Sequence, residues 1–233
     1  MGAGRLVNGA ARSAAPFTNR PAPIERISLR LEQALWERDL RRVVGVDEVG
    51  LGSLCGPVIA AAVRIPVACQ LIDGVRDSKL VLAARREQLA DEIRRQATGI
   101  GIGAASVAEI ERLNVRRASH LAMKRALARV GPYDHALIDG KPIQGIELGP
   151  HTTIVDGDAS SYAIACASII AKVARDRLMK KLAVRYPAYG WDHNAGYGTS
   201  EHLAALKRFG LTPHHRLGYE PVRAILIAQS GVF

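Results

Sequence analysis

The chain has 233 residues, of which 48% are hydrophobic and 23% are charged, a composition typical of a globular protein with a substantial core. It contains no run of about 18 apolar residues, which excludes a transmembrane helix, and its three cysteines follow neither a disulfide nor a metal-binding pattern. The net charge of +10 indicates an anionic partner or, alternatively, a solvated basic surface.

The basic residues are concentrated towards the two ends of the chain. Residues 1–45 carry a net charge of +4 and residues 160–233 one of +6, whereas in residues 46–159 acids and bases balance. A basic surface around an acidic centre suits a phosphate polymer that is steered towards a metal site. Reduced cysteines without a disulfide pattern predict a cytoplasmic protein.

The first half of the chain is predicted to contain a leader, two helices and three strands. Residues 1–26 are expected to form a disordered leader, because they lack the apolar core of a secretory signal. Apolar periodicity then predicts helices at 27–40 and 80–96, and strands at 42–47, 57–64 and 99–106. The short glycine-rich turn between the first two strands predicts an antiparallel pair. Glycines in the third strand indicate a close packing contact.

The second half alternates helices with strands. Asn114 is a good N-cap for a helix that ends at Gly131. The remaining elements are predicted as strands at 135–139 and 151–155 and helices at 160–185, 200–209 and 221–230. These elements together predict an α/β domain with a mixed sheet, and the helices beyond residue 160 are expected to pack across one end of it.

Acids follow or end three of the predicted strands. Asp47 and Glu48 end the first strand, Asp139 ends the fourth, and Asp158 lies just past the last. Strand ends converge in open α/β sheets, so these side chains are expected to meet. Four clustered carboxylates repel one another unless divalent cations neutralise them. Oxygen ligands alone favour Mg²⁺ or Mn²⁺ over zinc.

Two structural conditions accompany this hypothesis. Adjacent residues on a regular strand point to opposite faces, so Asp47 and Glu48 are expected to share a site only if the strand breaks or bulges there. For Asp158 the alternative is that its side chain merely caps the long helix, because it precedes Ser160.

Seven ordered motifs resemble those of ribonuclease HII, the type 2 ribonuclease H. They run in the family's order across about residues 42–223, and they read GVDEVGLGSLCGPVIAAAV, DSKL, LIDG, GDASSYAIACASIIAKVARDRLM, YPAYGW, AGYGT and HHR. The resemblance implies a ribonuclease H-like, mixed five-stranded sheet flanked by helices, with a C-terminal helical extension. It divides the chain into a catalytic core at 27–159 and a long helix with a substrate-binding extension at 160–233.

The resemblance also implies an activity. Such enzymes cleave the RNA strand of RNA/DNA hybrids and incise 5′ to single ribonucleotides embedded in duplex DNA, as endonucleases in ribonucleotide removal and repair. By motif position, Asp47, Glu48, Asp139 and Asp158 match the family's four metal-binding acids, which hold two Mg²⁺ or Mn²⁺ ions. The expected partners are therefore nucleic-acid duplexes rather than a membrane, and the protein is expected to be a monomer.

The substrate contacts implied by the resemblance depart from the family at one position. The family's loop reads Gly-Arg-Gly, whereas this chain has Gly50, Leu51 and Gly52. The glycine backbone is expected to read the 2′-hydroxyl, which distinguishes RNA from DNA. Loss of the arginine is expected to remove one phosphate contact worth about 1.5–3 kcal/mol. Tyr197 in AGYGT matches the tyrosine that stacks on the sugar of the following nucleotide.

Further residues are candidates for substrate binding, each with a structural alternative. Ser168 and Lys172 share a face of the long helix, where Lys172 either binds phosphate or pairs with Asp176. Lys79 either contacts the backbone or belongs to a plain helix cap.

Three consecutive basic residues near the C-terminus complete the candidate contacts. His214, His215 and Arg216 are predicted to form a cationic cluster near the substrate, and zinc is disfavoured because no third ligand is nearby.

Two other functions remain open. A hybrid-binding protein that has lost catalysis is one alternative, with Leu51 as its sign, although all four acids are present. A structure-specific DNA nuclease on the same fold is the other.

Overall fold

A computed structural model describes residues 27–67, 69–142, 145 and 147–230. The predicted leader at 1–26 lies outside the described residues and stays a prediction. Within the described ranges, no helix has the length and apolar character needed to cross a membrane.

The domain is built on a mixed five-stranded sheet, as predicted. In chain order the strands are β1 (Val43–Val49), β2 (Val58–Arg64), β3 (Gly99–Ala105), β4 (His135–Asp139) and β5 (His151–Ile154). Their order across the sheet is β3-β2-β1-β4-β5. The first three strands pair antiparallel, whereas β4 pairs parallel with β1 and β5 parallel with β4. The parallel strands β1, β4 and β5 therefore end at the same edge.

Eight α-helices surround this sheet in the described part of the chain. They are α1 (Arg30–Trp36), α2 (Ala83–Gln96), α3 (Val107–Leu113), α4 (Val115–Val130), α5 (Tyr162–Arg185), α6 (Trp191–Asn194), α7 (Ser200–Phe209) and α8 (Glu220–Ser230). Short 3₁₀ turns lie at Ser78–Leu80, Gly157–Ala159 and Pro187–Tyr189.

Two hydrophobic cores cover the two faces of the sheet, and a third lies beyond its edge. The first half of α5 packs with α1 and α2 on one face, and α4 packs on the other face. The third core joins the second half of α5 to α6, α7 and α8. The boundary predicted at residue 160 thus falls just before a helix whose first half completes the core of the sheet.

Glycines let helices approach the sheet closely, as the pattern of β3 predicted. A Cβ built on Gly101 would lie 2.0 Å from the Ala126 carbonyl oxygen, and one on Gly103 would lie 2.0 Å from that of Ala122. The backbone of α4 therefore rests directly on the backbone of β3. Glycine is needed at these positions because no side chain fits between the two backbones.

Several predicted boundaries were wrong, and each has a local cause. The first helix covers only Arg30–Trp36 of the predicted 27–40, because the chain turns at Asp39, which adopts a positive φ of 62°. Helix α2 begins at Ala83 instead of residue 80, because the Asp77 carboxylate accepts from the Lys79 N–H and closes a 3₁₀ turn first. Helix α3 was missed, although Ser106 and Glu109 form a capping box at its start.

Candidate active site

Four carboxylates meet where the parallel strands end. The parallel register pairs Val46 with Ile138, so the next residues, Asp47 and Asp139, lie side by side on neighbouring strands. Asp158 lies in the 3₁₀ turn after β5. Electrostatic repulsion links Asp47 to the other three acids, and Asp139 and Asp158 both act on Glu48. The structure therefore brings together all four acids that the sequence predicted to meet.

The expectation of a broken or bulged strand at Asp47 was wrong. Strand β1 pairs with β2 in unbroken register through Val49, so Asp47 faces α5 while Glu48 faces α4. The two acids share a site because β4 ends at Asp139 and no longer separates the two faces of the sheet there. The Glu48 backbone N–H also donates to Asp47 Oδ1 at 2.7 Å.

The carboxylates are held in an environment that disfavours their charge. Burial raises the pKa of Asp47 well above its ordinary value, and repulsion from Glu48 and Asp139 adds to the effect. Burial and repulsion from Asp139 raise the pKa of Glu48 to about 7, and burial together with repulsion from Asp77 and Asp139 raises that of Asp158 to about 6. The pKa of Asp139 is also raised, first by burial. Such a site gains free energy when cations enter it.

Hydrogen bonds from the surrounding elements fix the acids in place. The Gly157 N–H donates to Asp139 Oδ1 at 2.7 Å, and the Ser168 hydroxyl bonds to Asp47. Ser168 is buried behind Asp47, with its hydroxyl 2.9 Å from that of Ser78. The predicted contact between Ser168 and substrate was therefore wrong, because this side chain supports an acid from the protein side.

Asp158 belongs to the site, whereas Lys79 lies near the acids and also takes part, through its backbone N–H, in the cap formed by Asp77. Helix α5 is capped by Ser161, whose hydroxyl accepts from the Ile164 N–H, so the alternative role of Asp158 as a cap is excluded. Asp158 instead shares a hydrogen bond with Asp77. Burial disfavours the Lys79 ammonium, yet the nearby acids, Asp77 first, hold its pKa above the ordinary value. Asp77 was not among the sequence candidates, although it opens the DSKL motif.

The residues present fit a divalent cation. Four carboxylates offer oxygen ligands only, and hard cations such as Mg²⁺ and Mn²⁺ prefer these ligands. Their raised pKa values show that the surrounding protein, including Lys79, does not neutralise them. The shortage of positive charge is the property expected of a metal site.

The glycine loop between β1 and β2 lies beside the acids and is held by its backbone. Gly50 has a φ of 95°, and a Cβ there would lie 2.3 Å from Arg175 Nε. The Leu51 carbonyl accepts from Arg216 Nη1 at 2.9 Å and from the Tyr219 hydroxyl. The Leu51 side chain is 37% exposed, so the loop presents an apolar side chain towards solvent.

Two buried arginines hold this loop from below. Arg175 donates to the carbonyls of Cys55 at 3.0 Å, Pro57 at 3.1 Å and Ala195 at 2.8 Å. Arg216 donates to the Gly56 carbonyl through two nitrogens, at 3.0 and 2.8 Å, and to Leu51 as above. Both side chains are fully buried. The prediction that Arg216 contacts substrate was wrong, because its guanidinium is enclosed by carbonyl oxygens.

The two neighbouring histidines do not form the predicted cationic cluster. Burial and His202 lower the pKa of His215 to about 4, and burial lowers that of His214. The expectation that no third metal ligand is nearby was also wrong, because ligand atoms of Cys55, His202 and His215 all lie within 4.8 Å of one another.

The hydrogen bonds of this trio nevertheless leave no place for a metal. The Thr212 N–H donates to His215 Nδ1 at 2.9 Å, so we assign the His215 proton to Nε2, which lies 3.1 Å from His202 Nε2. His202 Nδ1 in turn donates to the Tyr197 carbonyl at 2.9 Å. Every imidazole lone pair is used. Arg175, His202, His215 and Arg216 are called the arginine–histidine hub below.

Tyr197 lies at the surface beside Arg175 of the hub. Its ring is 37% exposed, with Arg175 Cζ 5.8 Å and Lys172 Nζ 6.0 Å from the ring centroid. Lys172 Nζ also pairs with Asp176 at 2.6 Å, which is the structural alternative considered for this lysine. Its contact with phosphate stays a prediction, as does the stacking of Tyr197 on a sugar.

Comparison with known proteins agrees with this geometry. A family model described as Ribonuclease HII matches residues 44–222. Ribonuclease HII of Thermosynechococcus vestitus is 56% identical over 84% of this chain and 92% of its own length. The Gluconobacter oxydans ribonuclease HII is 50% identical over 81% of this chain and 92% of its own length.

Solved structures share the fold at low identity. Ribonuclease H2 from Pyrococcus horikoshii OT3 aligns with a TM-score of 0.69 at 24% identity, covering 82% of this chain and all of that one. Bst-RNase HIII in complex with Mn²⁺ aligns with a TM-score of 0.67 at 16% identity, covering 81% of this chain and 70% of that one.

Proposed function

The chain belongs to the ribonuclease HII family of divalent-metal-dependent ribonuclease H endonucleases, and from that premise we propose its substrates and chemistry. It cleaves the RNA strand of RNA/DNA hybrids and incises 5′ to single ribonucleotides in duplex DNA. The observation that carries this proposal is the convergence of Asp47, Glu48, Asp139 and Asp158, with raised pKa values, beside the glycine loop.

The four acids would hold Mg²⁺ or Mn²⁺, and the surrounding residues prepare them to do so. When bound, the cations supply a lowered pKa for water and neutralise charge that develops on the phosphate. Ser168 and the Gly157 N–H fix the carboxylates of Asp47 and Asp139, so these ligands need no rearrangement. Lys79 adds positive charge on the α5 side of the site.

The glycine loop and Tyr197 would recognise the ribose. Because Arg216 and Tyr219 already occupy the Leu51 carbonyl, the loop is positioned before substrate arrives. Backbone groups of Gly50 to Gly52 would read the 2′-hydroxyl, and Tyr197 would stack on the following sugar. The apolar Leu51 side chain lowers affinity for phosphate without changing the reaction.

Cleavage-site mapping tests this function. A duplex with one embedded ribonucleotide and an all-RNA hybrid are incubated separately with Mg²⁺ and Mn²⁺, and an all-DNA duplex serves as control. We expect a cut 5′ to the single ribonucleotide, several cuts in the hybrid, and 5′-phosphate and 3′-hydroxyl ends. Cleavage of the all-DNA duplex would instead support a structure-specific DNA nuclease. Binding without any cleavage would support a hybrid-binding protein.

We further propose that the protein is a cytoplasmic monomer. The location is supported by Cys55 and Cys166, which are buried free thiols, as expected in a reducing compartment. Size-exclusion chromatography with light scattering tests the monomer.

A further inference from the structure

A cavity on the α4 side of the sheet opens directly onto the acid site. Its volume is about 290 Å³, and its walls include Glu48 and Asp139 together with Leu51 from the glycine loop. The walls also include Arg116 and His120 from α4 and Lys141 after β4. The cavity therefore borders two of the four carboxylates and carries basic side chains of its own.

The basic side chains of Arg116 and Lys141 in this cavity are not paired with acidic side chains of the described residues. Arg116 and Lys141 are exposed, and neither side chain forms a hydrogen bond or ion pair within the described part of the chain. By contrast, Arg125 of the same helix pairs with Glu109 at 2.7 Å. An unpaired cation beside an acid site attracts the anion that the acids themselves repel.

His120 belongs to the same wall, but its Nδ1 is buried and has no hydrogen-bond partner in the described structure. A nitrogen without accessible surface is not within reach of a ligand in the cavity. The cavity therefore offers the two charges of Arg116 and Lys141 within one small space.

The position of the cavity indicates its ligand. Lys79 serves the α5 side of the carboxylates, whereas Leu51 leaves the glycine loop without a charge on the α4 side. A polyanion that lies across the acids needs cations on both sides of them. We propose that the cavity binds a phosphodiester group that flanks the cleaved one, with Arg116 and Lys141 as its charged ligands. The proposal rests on the proposed function, because a nucleic-acid duplex supplies this group.

Binding measurements compare matched arginines. Fluorescence anisotropy with a single-ribonucleotide duplex is performed in EDTA, so that no cleavage occurs, for wild type, Arg116→Ala, Lys141→Ala and the control Arg117→Ala. Arg117 is also exposed and lies next to Arg116 in α4, but its side chain does not line the cavity. We expect Arg116→Ala and Lys141→Ala each to raise Kd about tenfold and to reduce the salt slope by about 0.9. The control should change Kd less than about twofold.

A neutral-phosphate scan identifies the contacted group. Each phosphate near the ribonucleotide is replaced in turn by an uncharged methylphosphonate. We expect one position at which wild type loses affinity, while Arg116→Ala, which has already lost the contact, is insensitive. The strand and position of this phosphate follow directly from the scan.

The results separate this proposal from the proposed function. Equal effects of Arg116→Ala and Arg117→Ala, or no sensitive phosphate, would overturn the cavity assignment even if wild type cleaves as expected. Failure of wild type to cleave with Mg²⁺ or Mn²⁺ would overturn the proposed function, while binding in EDTA would still test the cavity. Thermal unfolding of each variant verifies that the fold is intact.

Discussion

The acid site and the arginine–histidine hub both bury ionisable groups, but they compensate them in opposite ways. The four acids repel one another, and burial raises the pKa of each. In the hub, Arg175 and Arg216 donate to carbonyl oxygens on several sides, and His215 is kept neutral. The hub is complete without a ligand, whereas the acid site is not.

This difference separates the structural role from the binding role. Buried charge that is saturated by backbone carbonyls fixes the chain around it, and here it fixes the glycine loop. Buried charge that lacks a counter-ion favours binding of one. Composition does not distinguish the two, since each region is rich in polar residues within an apolar surrounding.

The largest effect is expected from removing one acid. Asp139→Asn should lower cleavage of an RNA/DNA hybrid by about a thousandfold, because one ligand and its charge are lost. Binding of the duplex should be largely retained. In the absence of divalent cations the variant should also melt above wild type, because one repelling charge is gone, and added Mn²⁺ should raise its melting temperature less.

The matched control for this variant is Asp156→Asn. Asp156 is exposed, lies two residues before Asp158 and has a φ of 53°, a conformation that asparagine also tolerates. It should keep nearly full activity and the Mn²⁺ response. Full activity of Asp139→Asn would contradict the metal-site assignment.

The second largest effect is expected when the hub loses the hydrogen bonds of Arg216. Arg216→Met keeps the length of the side chain but leaves the Gly56 carbonyl without its donor, while the Leu51 carbonyl keeps only the Tyr219 hydroxyl. We expect a loss of about 2 kcal/mol in the free energy of unfolding, since a buried unpaired carbonyl costs about 1–3 kcal/mol. Urea unfolding measures it, with the exposed Arg223→Met of α8 as control. Equal midpoints for both variants would mean that the carbonyl contacts contribute nothing.

A third test uses pH to probe the neutral histidine. In the unfolded chain His215 binds a proton near its ordinary pKa of 6.5, whereas in the folded protein its pKa is about 4. Its contribution to stability is therefore present above pH 6.5 and is lost as the pH falls towards 4. Between pH 7 and 5 this amounts to about 2 kcal/mol.

The acid site changes stability in the opposite direction as the pH falls, so a variant is needed to isolate the contribution of His215. The raised carboxylate pKa values mean that the folded state takes up protons there and gains stability as the pH falls. His215→Gln keeps a donor for His202 but cannot titrate. Its unfolding free energy should fall about 2 kcal/mol less than that of wild type over this range. Identical pH profiles would mean that folding leaves the pKa of His215 at its ordinary value.

The smallest expected effect lies where the two regions meet. Leu51 offers its carbonyl to the hub and its side chain to the cavity beside the acids. Leu51→Arg should tighten duplex binding by about tenfold and steepen the salt slope by about 0.9, because one phosphate contact is added. The free energy of unfolding should not change. If neither affinity nor site preference responds, our account of the loop is wrong.

The sequence predicted the acid site well because its signals are local. A short apolar strand that ends in an acid, as in His135–Asp139, is readable from neighbouring residues alone. The antiparallel pairing of β1 with β2 and the capped helix after Asn114 follow from similar local rules. The unbroken register of β1 was not readable, because it depends on pairing with β2 rather than on the glycines that follow.

The hub was not predicted because its partners are distant and belong to the backbone. Nothing in the letters HHR shows that Arg216 will be enclosed by carbonyls of residues 51 and 56. The proximity of Cys55 to His202 and His215 is likewise a product of the folded chain. The positive charge of Arg216 suggested a position at the surface. Its side chain is buried instead, because backbone carbonyls accept its hydrogen bonds in the interior.

The hydrogen bond from Arg216 to the Leu51 carbonyl also sets an order of events during synthesis. The two residues are 165 positions apart in the chain. At about 5–20 residues per second, a ribosome needs roughly 10–30 seconds to travel from one to the other. During that interval the acids of β1 exist, but the loop that we propose to read the ribose is not yet locked. A nascent chain of this protein therefore fixes this loop last, when the segment around residue 216 has emerged and folded back.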